Sequence, residues 1–98
     1  MLYILICKDK AGDRLARRME ARPEHLAYLK SLDEKVRIGG PLLSPDGKEP
    51  RGSVIIIEAA TIEEARAIAN ADPYAKVGVF DNVEIHPFRQ AAGVVQAG

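Results

Sequence analysis

The chain opens on a stretch without a polar position. Met1 to Cys7 is continuously apolar and ends at Lys8-Asp9-Lys10. The run is too short for a helix of average length, so it predicts a strand buried on both faces. Ser53 to Glu58 repeats the pattern and predicts a second such strand. Phe80 to His86 alternates instead, with Val83 and Ile85 on one side and Asn82, Glu84 and His86 on the other. That is the mark of a half-buried edge strand, which Pro87 ends. Val36-Arg37-Ile38 alternates briefly before Gly39-Gly40-Pro41.

Helical spacing fills the intervals. Asp9 to Asp13 reads as a turn, and Asp13 as the cap of a short helix from Arg14 to Glu20 with Leu15 and Met19 on one face. Pro23 suits the first position of a second helix, running to about Lys35, in which His25, Leu29, Leu32 and Val36 face inward beside Leu26. Pro41 to Gly52, with three prolines and the Asp46-Gly47 pair, reads as a long hairpin loop. Thr61-Ile62-Glu63-Glu64 is a capping box opening a helix through Asn70, with Ile62, Ala65, Ile68 and Ala69 on its buried face. Ala71-Asp72-Pro73-Tyr74 breaks that helix and opens a helical turn through Val77, which Gly78 ends.

Right-handed crossovers turn this order into an α+β ferredoxin-like βαββαβ sandwich with an antiparallel four-stranded sheet. The two doubly apolar strands are the ones this topology places in the middle. Helices cover one sheet face only, so the other carries Tyr3, Leu5 and Cys7 or else Leu2, Ile4 and Ile6, with one parity of Val54 to Ile57. Left bare, that face would drive association, and a homodimer joined sheet to sheet is expected.

Composition narrows the function classes. The 98 residues make one domain, and 14 Lys plus Arg balance 14 Asp plus Glu, so no global field draws in nucleic acid or an anionic membrane. Cys7 is the single cysteine, which suits a reducing, cytoplasmic setting. No apolar run is long enough to span a bilayer, and no residues are spaced to hold a metal or to require a cofactor. The tail from Gln90 to Gly98 is rich in Ala, Gly and Val and is expected to be flexible.

The chemistry centres on His25, on the inward face of its helix. Asp72, just past the end of the later helix, continues that helix's buried face and is placed to meet it. Packing would account for His25, and capping of the following turn for Asp72, but one carboxylate oxygen can cap while the other faces an imidazole. Paired, they would make a general acid/base near neutral pH. Arg14 and Arg17 read as solvated, whereas Arg18 and Arg22, four apart, could hold a small anion by bidentate bonds. Tyr74 could wall the pocket. No serine or cysteine is placed as a nucleophile, since Cys7 is expected to be buried and Ser53 starts a strand.

Arg18 and Arg22-Pro23 before His25-Leu26, then Gly40-Pro41, Ala71-Asp72-Pro73-Tyr74 and Pro87-Phe88, resemble the YCII-related (YciI-like) domain in order and spacing over residues 1–89. The resemblance implies a homodimer of the dimeric α/β-barrel type. It also implies that His25 and Asp72 match the family's catalytic pair, with Gly40 and Pro41 joining Arg18, Arg22 and Tyr74 around a substrate. One branch eliminates hydrogen chloride from a chlorinated hydroxyquinol. The expectation is an enzyme abstracting a proton from a small anionic or phenolic substrate, lyase- or isomerase-like. The alternative is a non-catalytic ligand-binding or accessory dimer.

Overall fold

The structure is a computed structural model that describes residues 1–12 and 14–94, Arg14 by its backbone only. Four strands, β1 (Leu2–Asp9), β2 (Val36–Leu43), β3 (Pro50–Glu58) and β4 (Phe80–Phe88), form one sheet in the order β2-β3-β1-β4, all neighbours antiparallel. Helices α1 (Arg14–Ser31), α2 (Ile62–Ala71) and the single turn α3 (Pro73–Lys76) cover one face. This is the ferredoxin-like sandwich expected, with the doubly apolar strands β1 and β3 at the centre. Asp13, expected as a cap, and Val95 to Gly98 of the expected tail lie outside the described residues.

The register decides which parity of each strand faces the helices. Tyr3, Leu5 and Cys7 pair with Ile57, Ile55 and Ser53 on one side and with Pro87, Ile85 and Val83 on the other. Tyr3, Leu5, Cys7, Ile55 and Ile57 are buried with Ala65, Ala69, Tyr74, Val79 and Phe80, forming the core under the helices. Leu2, Ile4 and Ile6, with Val54 and Ile56, therefore occupy the open face, where each is only half-buried.

Three boundaries differ from expectation, each for a physical reason. Arg14 to Lys35 is not two helices. Helix α1 runs unbroken through Pro23 to Ser31, and a separate 3₁₀ turn, Asp33–Lys35, follows. Pro23 falls on the exposed side of α1, where water can serve the Met19 carbonyl that loses its partner. The loop from Pro41 to Gly52 shrinks to residues 44–49, because β2 continues through Gly39-Gly40-Pro41 and β3 begins at Pro50. Pro87 likewise does not stop β4, but pairs with Tyr3 before Phe88 pairs with Leu2. In both cases the proline sits in an edge strand, where a missing N–H need not cost a ladder bond.

Helix α2 begins as expected, with Thr61 Oγ1 accepting the Glu64 N–H at 3.1 Å. The Glu64 carboxylate reaches one residue further back than the usual box, accepting the Ala60 N–H at 3.0 Å. That bond and the neighbouring Lys35 ammonium hold the Glu64 carboxyl below its ordinary range. Ile62, expected on the buried face of α2, is exposed at 38%, Leu26, expected beside the inward face of its helix, at 45%, and Met19, expected on one face with Leu15, at 74%. The face that α1 buries carries Arg18, Ala21 and His25. Polar residues have taken the inner positions, and that exchange marks the site.

Candidate active site

Helix α1 places Arg18 and His25 seven positions apart, two turns along one face and roughly 10 Å from each other along the axis. Opposite them is the corner where α2 ends. Asp72 leaves the helical conformation there, at φ −63 and ψ 129, and caps α3 with Pro73 at its first position. Its Oδ1 accepts the Tyr74 N–H at 2.9 Å and meets His25 Nδ1 at 2.7 Å. One oxygen thus does both jobs that were expected to be shared between two. His25 is the middle of α1 rather than its start, so the helix dipole does not bear on it.

Both members of the pair are buried, with 8% and 3% of their side-chain surfaces exposed. A carboxylate at Nδ1 favours the tautomer with the proton on that nitrogen and leaves Nε2 as the basic position. The Tyr74 ring lies flat on the imidazole, centroids 3.8 Å apart and planes 11° from parallel. The ring also meets Phe80 in a T-shaped contact and the Arg18 guanidinium, whose carbon is 4.7 Å from the ring centroid. Burial pushes the Tyr74 phenol up, the Arg18 and Arg22 cations opposing it.

His25 lines a cleft of about 440 Å³ between α1, the middle of β2 and the first part of β3. That volume lies within the range of small-molecule sites, about 300–1,000 Å³. The cleft brings together every residue expected to touch a substrate: Arg18, Arg22, Gly40, Pro41 and Tyr74. Asp72 does not line it and stands behind the imidazole. Leu15, Met19, Leu26, Leu29 and Ile55 supply apolar wall, which accounts for the exposure of Met19 and of Leu26 at its mouth.

Of the two arginines, Arg18 is already committed. Its Nε and Nη2 donate to the two carboxylate oxygens of Asp9 at 2.8 and 3.2 Å, and Nη2 also donates to Gly52 O at 2.6 Å and Ser53 Oγ at 2.8 Å. Both side chains of this ion pair are buried, at 7% and 1% exposure. Arg22 is exposed at the cleft and has no hydrogen-bond or ion-pair partner among the described residues. Arg17 points elsewhere, its Nη1 donating to Val77 O at 3.2 Å. The His86 side chain is exposed and, among the described residues, its one polar contact is with Glu84, at 3.2 Å.

Sequence reasoning missed Asp9 and Ser53. Asp9 was read as part of a turn, yet it closes β1 and its side chain is almost wholly buried. The available signal was Arg18 itself: seven positions from His25 it shares the inward face, and a buried guanidinium needs a carboxylate. Cys7 is buried beside Asp72, and burial, reinforced by that carboxylate, pushes its thiol up to about 12, which leaves no thiolate nucleophile near neutral pH.

The relatives agree with this architecture. Protein YciI of Escherichia coli O6:H1 is 39% identical over 97 residues, covering 92% of this chain and 98% of its own. The solved 5-chloro-2-hydroxyhydroquinone dehydrochlorinase of Burkholderia phenoliruptrix, in complex with 2,5-dihydroxybenzoquinone, is 32% identical. It superposes with a TM-score of 0.83 over 93% of this chain and 96% of that one. A protein of Agrobacterium tumefaciens, 22% identical with a TM-score of 0.55, covering 93% and 94%, shares the fold. The YCII-related domain model matches residues 1–89, and with the two closer relatives it establishes that this chain belongs to the YCII-related domain family.

Proposed function

We propose that the protein is a small-molecule enzyme in which His25 transfers a proton and Asp72 orients it, in lyase- or isomerase-type chemistry on a small anionic or phenolic substrate. The observation that carries this reading is the 2.7 Å contact between two buried side chains, of which only the histidine lines the cleft. Nε2 takes a proton from the substrate, and Asp72 stabilises the imidazolium that results. Arg22 holds the substrate's negative charge at the mouth. Gly40 and Pro41 offer backbone and ring as one wall. The similarity to a dehydrochlorinase solved with a dihydroxyquinone supports a hydroxylated ring as the substrate class.

The same reading takes the protein as a homodimer. The half-buried Ile4, Ile6, Val54 and Ile56 form an apolar field on the open sheet face, and a second copy of that face would cover it.

Chloride release from 5-chloro-2-hydroxyhydroquinone, together with deuterium uptake from D₂O into a panel of small phenols and hydroxybenzoates, tests the enzyme. Turnover in the unmodified protein should be lost in His25→Ala and fall by roughly 10²–10⁴-fold in Asp72→Asn, the scale of general acid/base catalysis. Unchanged turnover in His25→Ala ends the reading. Saturable binding with neither chloride release nor exchange transfers the site to a ligand-binding module.

A further inference from the structure

Among the described residues the His25 side chain has one hydrogen bond to hold it, and a single bond to Asp72 leaves the ring free to rotate about that contact. What fixes the plane is Tyr74, stacked 3.8 Å away at 11°. Tyr74, however, stands on α3, a helix of four residues, which is too short to be rigid on its own account. Its second face must be held by something else. The imidazole already covers one face at van der Waals separation, and the guanidinium carbon 4.7 Å from the same centroid is best accommodated over the other. The two-turn separation of Arg18 and His25 on α1 leaves room for one aromatic ring between them.

Arg18 is in turn fixed more tightly than any other polar side chain of the site. Two bonds to Asp9 tie it to β1, and bonds to Gly52 O and Ser53 Oγ tie it to β3. These are the two central strands, each hydrogen-bonded to a neighbour on both sides. We propose that Asp9, Arg18 and Tyr74 are positioning residues: an ion-paired stack that refers the plane of the His25 ring to the central strands and keeps Nε2 directed into the cleft. The proposal rests on His25 as the proton-transfer group. It reassigns Arg18, since a guanidinium whose charge Asp9 neutralises is a support for the ring above it, and Arg22 alone is left to attract an anion.

The arrangement explains why arginine stands at 18. A lysine has one ammonium and cannot serve both Asp9 oxygens, Gly52 O and Ser53 Oγ while lying flat on a ring. It explains the buried ion pair as well, because burying two charges gains little stability over an apolar pair and is retained where it fixes a geometry. The charged and titratable groups lining the cleft or packed behind it are Arg18, Arg22 and Tyr28 from α1, Asp72 and Tyr74 from the α2–α3 corner, and Cys7 and, through Arg18, Asp9 from β1; β2 and β3 contribute Gly39, Gly40, Pro41, Pro50, Ser53 and Ile55 to the cleft and no charge.

The test is the ¹H–¹⁵N NMR spectrum of the two histidine rings, with His25→Ala assigning the signals and His86 as an exposed internal reference. Stacking on Tyr74 should place the His25 ring protons upfield of those of His86. Asp9→Asn alone leaves a buried unpaired cation and risks unfolding, so the double variant Asp9→Asn/Arg18→Met, which removes both charges and keeps the bulk, is the main probe, with Arg18→Lys beside it. The expected result is loss of the upfield displacement in both, in proteins with unchanged far-UV circular dichroism. Where turnover is measurable, kcat should fall by tenfold or more with KM within about threefold, since the anion holder Arg22 is untouched. An unmoved His25 signal in either folded variant overturns the proposal. These outcomes are separate from the fate of the enzyme reading, which turnover in His25→Ala decides; the ring signals report the stack whether or not a proton is transferred.

Discussion

Replacing Cys7 by alanine should uncouple the fold from alkaline pH. Cys7 is 2% exposed in the central strand β1, and its thiol is pushed from 9.0 up to about 12, chiefly by burial, with the Asp72 carboxylate adding to it, Arg18 opposing and Asp9 contributing a little more. The native state therefore holds this proton more tightly than the unfolded chain. The resulting stabilisation is complete below about pH 9 and is lost as the pH climbs towards 12. A shift of about three pH units at 1.36 kcal/mol each comes to about 4 kcal/mol. Domains of this size are stable by about 5–15 kcal/mol, so one buried thiol governs a large share of the margin in alkali. Between pH 9 and 12 the group contributes a slope approaching roughly 1.4 kcal/mol per pH unit. With a urea m-value of roughly 1 kcal/mol/M, the unfolding midpoint should drop by up to about 1.4 M per pH unit. Urea titrations followed by circular dichroism from pH 8 to 11 measure it. Cys7→Ala should begin lower, by roughly 0.5–3 kcal/mol, and then fall less steeply. The Tyr28 and Tyr74 phenols, also raised by burial, are present in both proteins and cancel in the difference. Parallel curves for the two proteins would refute the argument.

Two further outcomes are expected. Thr61→Ala deletes the acceptor of the Glu64 N–H and should cost about 1 kcal/mol, lowering the melting midpoint by about 4–8 °C; a change under a degree would mean that the Glu64 bond to Ala60 caps the helix alone. Ile56→Lys sets a charge in the middle of the open sheet face, so sedimentation should show a dimer for the parent protein and a folded monomer for the variant, and a parent that sediments as a monomer at micromolar concentration removes the sheet-to-sheet dimer.

Much of this molecule is local in origin and was therefore readable along the chain. Continuous apolar runs identified β1 and β3 as the central strands, because only a strand flanked on both sides and covered on its face can afford no polar position. The Thr61 box marked the start of α2 within a residue, since capping is settled by atoms three positions apart. The pairing of His25 with Asp72 followed from inward phase on one helix and the break at the end of another, and the relative order of motifs carried the family.

What the sequence did not decide depends on partners far along the chain. Pro23 looks like a helix start and Pro41 and Pro87 like terminators, yet each sits inside an element, because edge position and solvent access determine whether a missing N–H costs anything. The parity of the open sheet face was undetermined until the register placed Ile4 and Ile56 opposite each other on it. Asp9 and Ser53 gave no local sign of importance; they matter because folding brings β1 and β3 under α1, where a guanidinium must be neutralised. Arg18 and Arg22 are alike in sequence and four residues apart, and only the tertiary structure separates them, burying one against Asp9 and leaving the other at the mouth of the cleft. Spacing along a helix determines which side chains share a face; what they meet there is decided by the packing of elements that the chain joins from a distance.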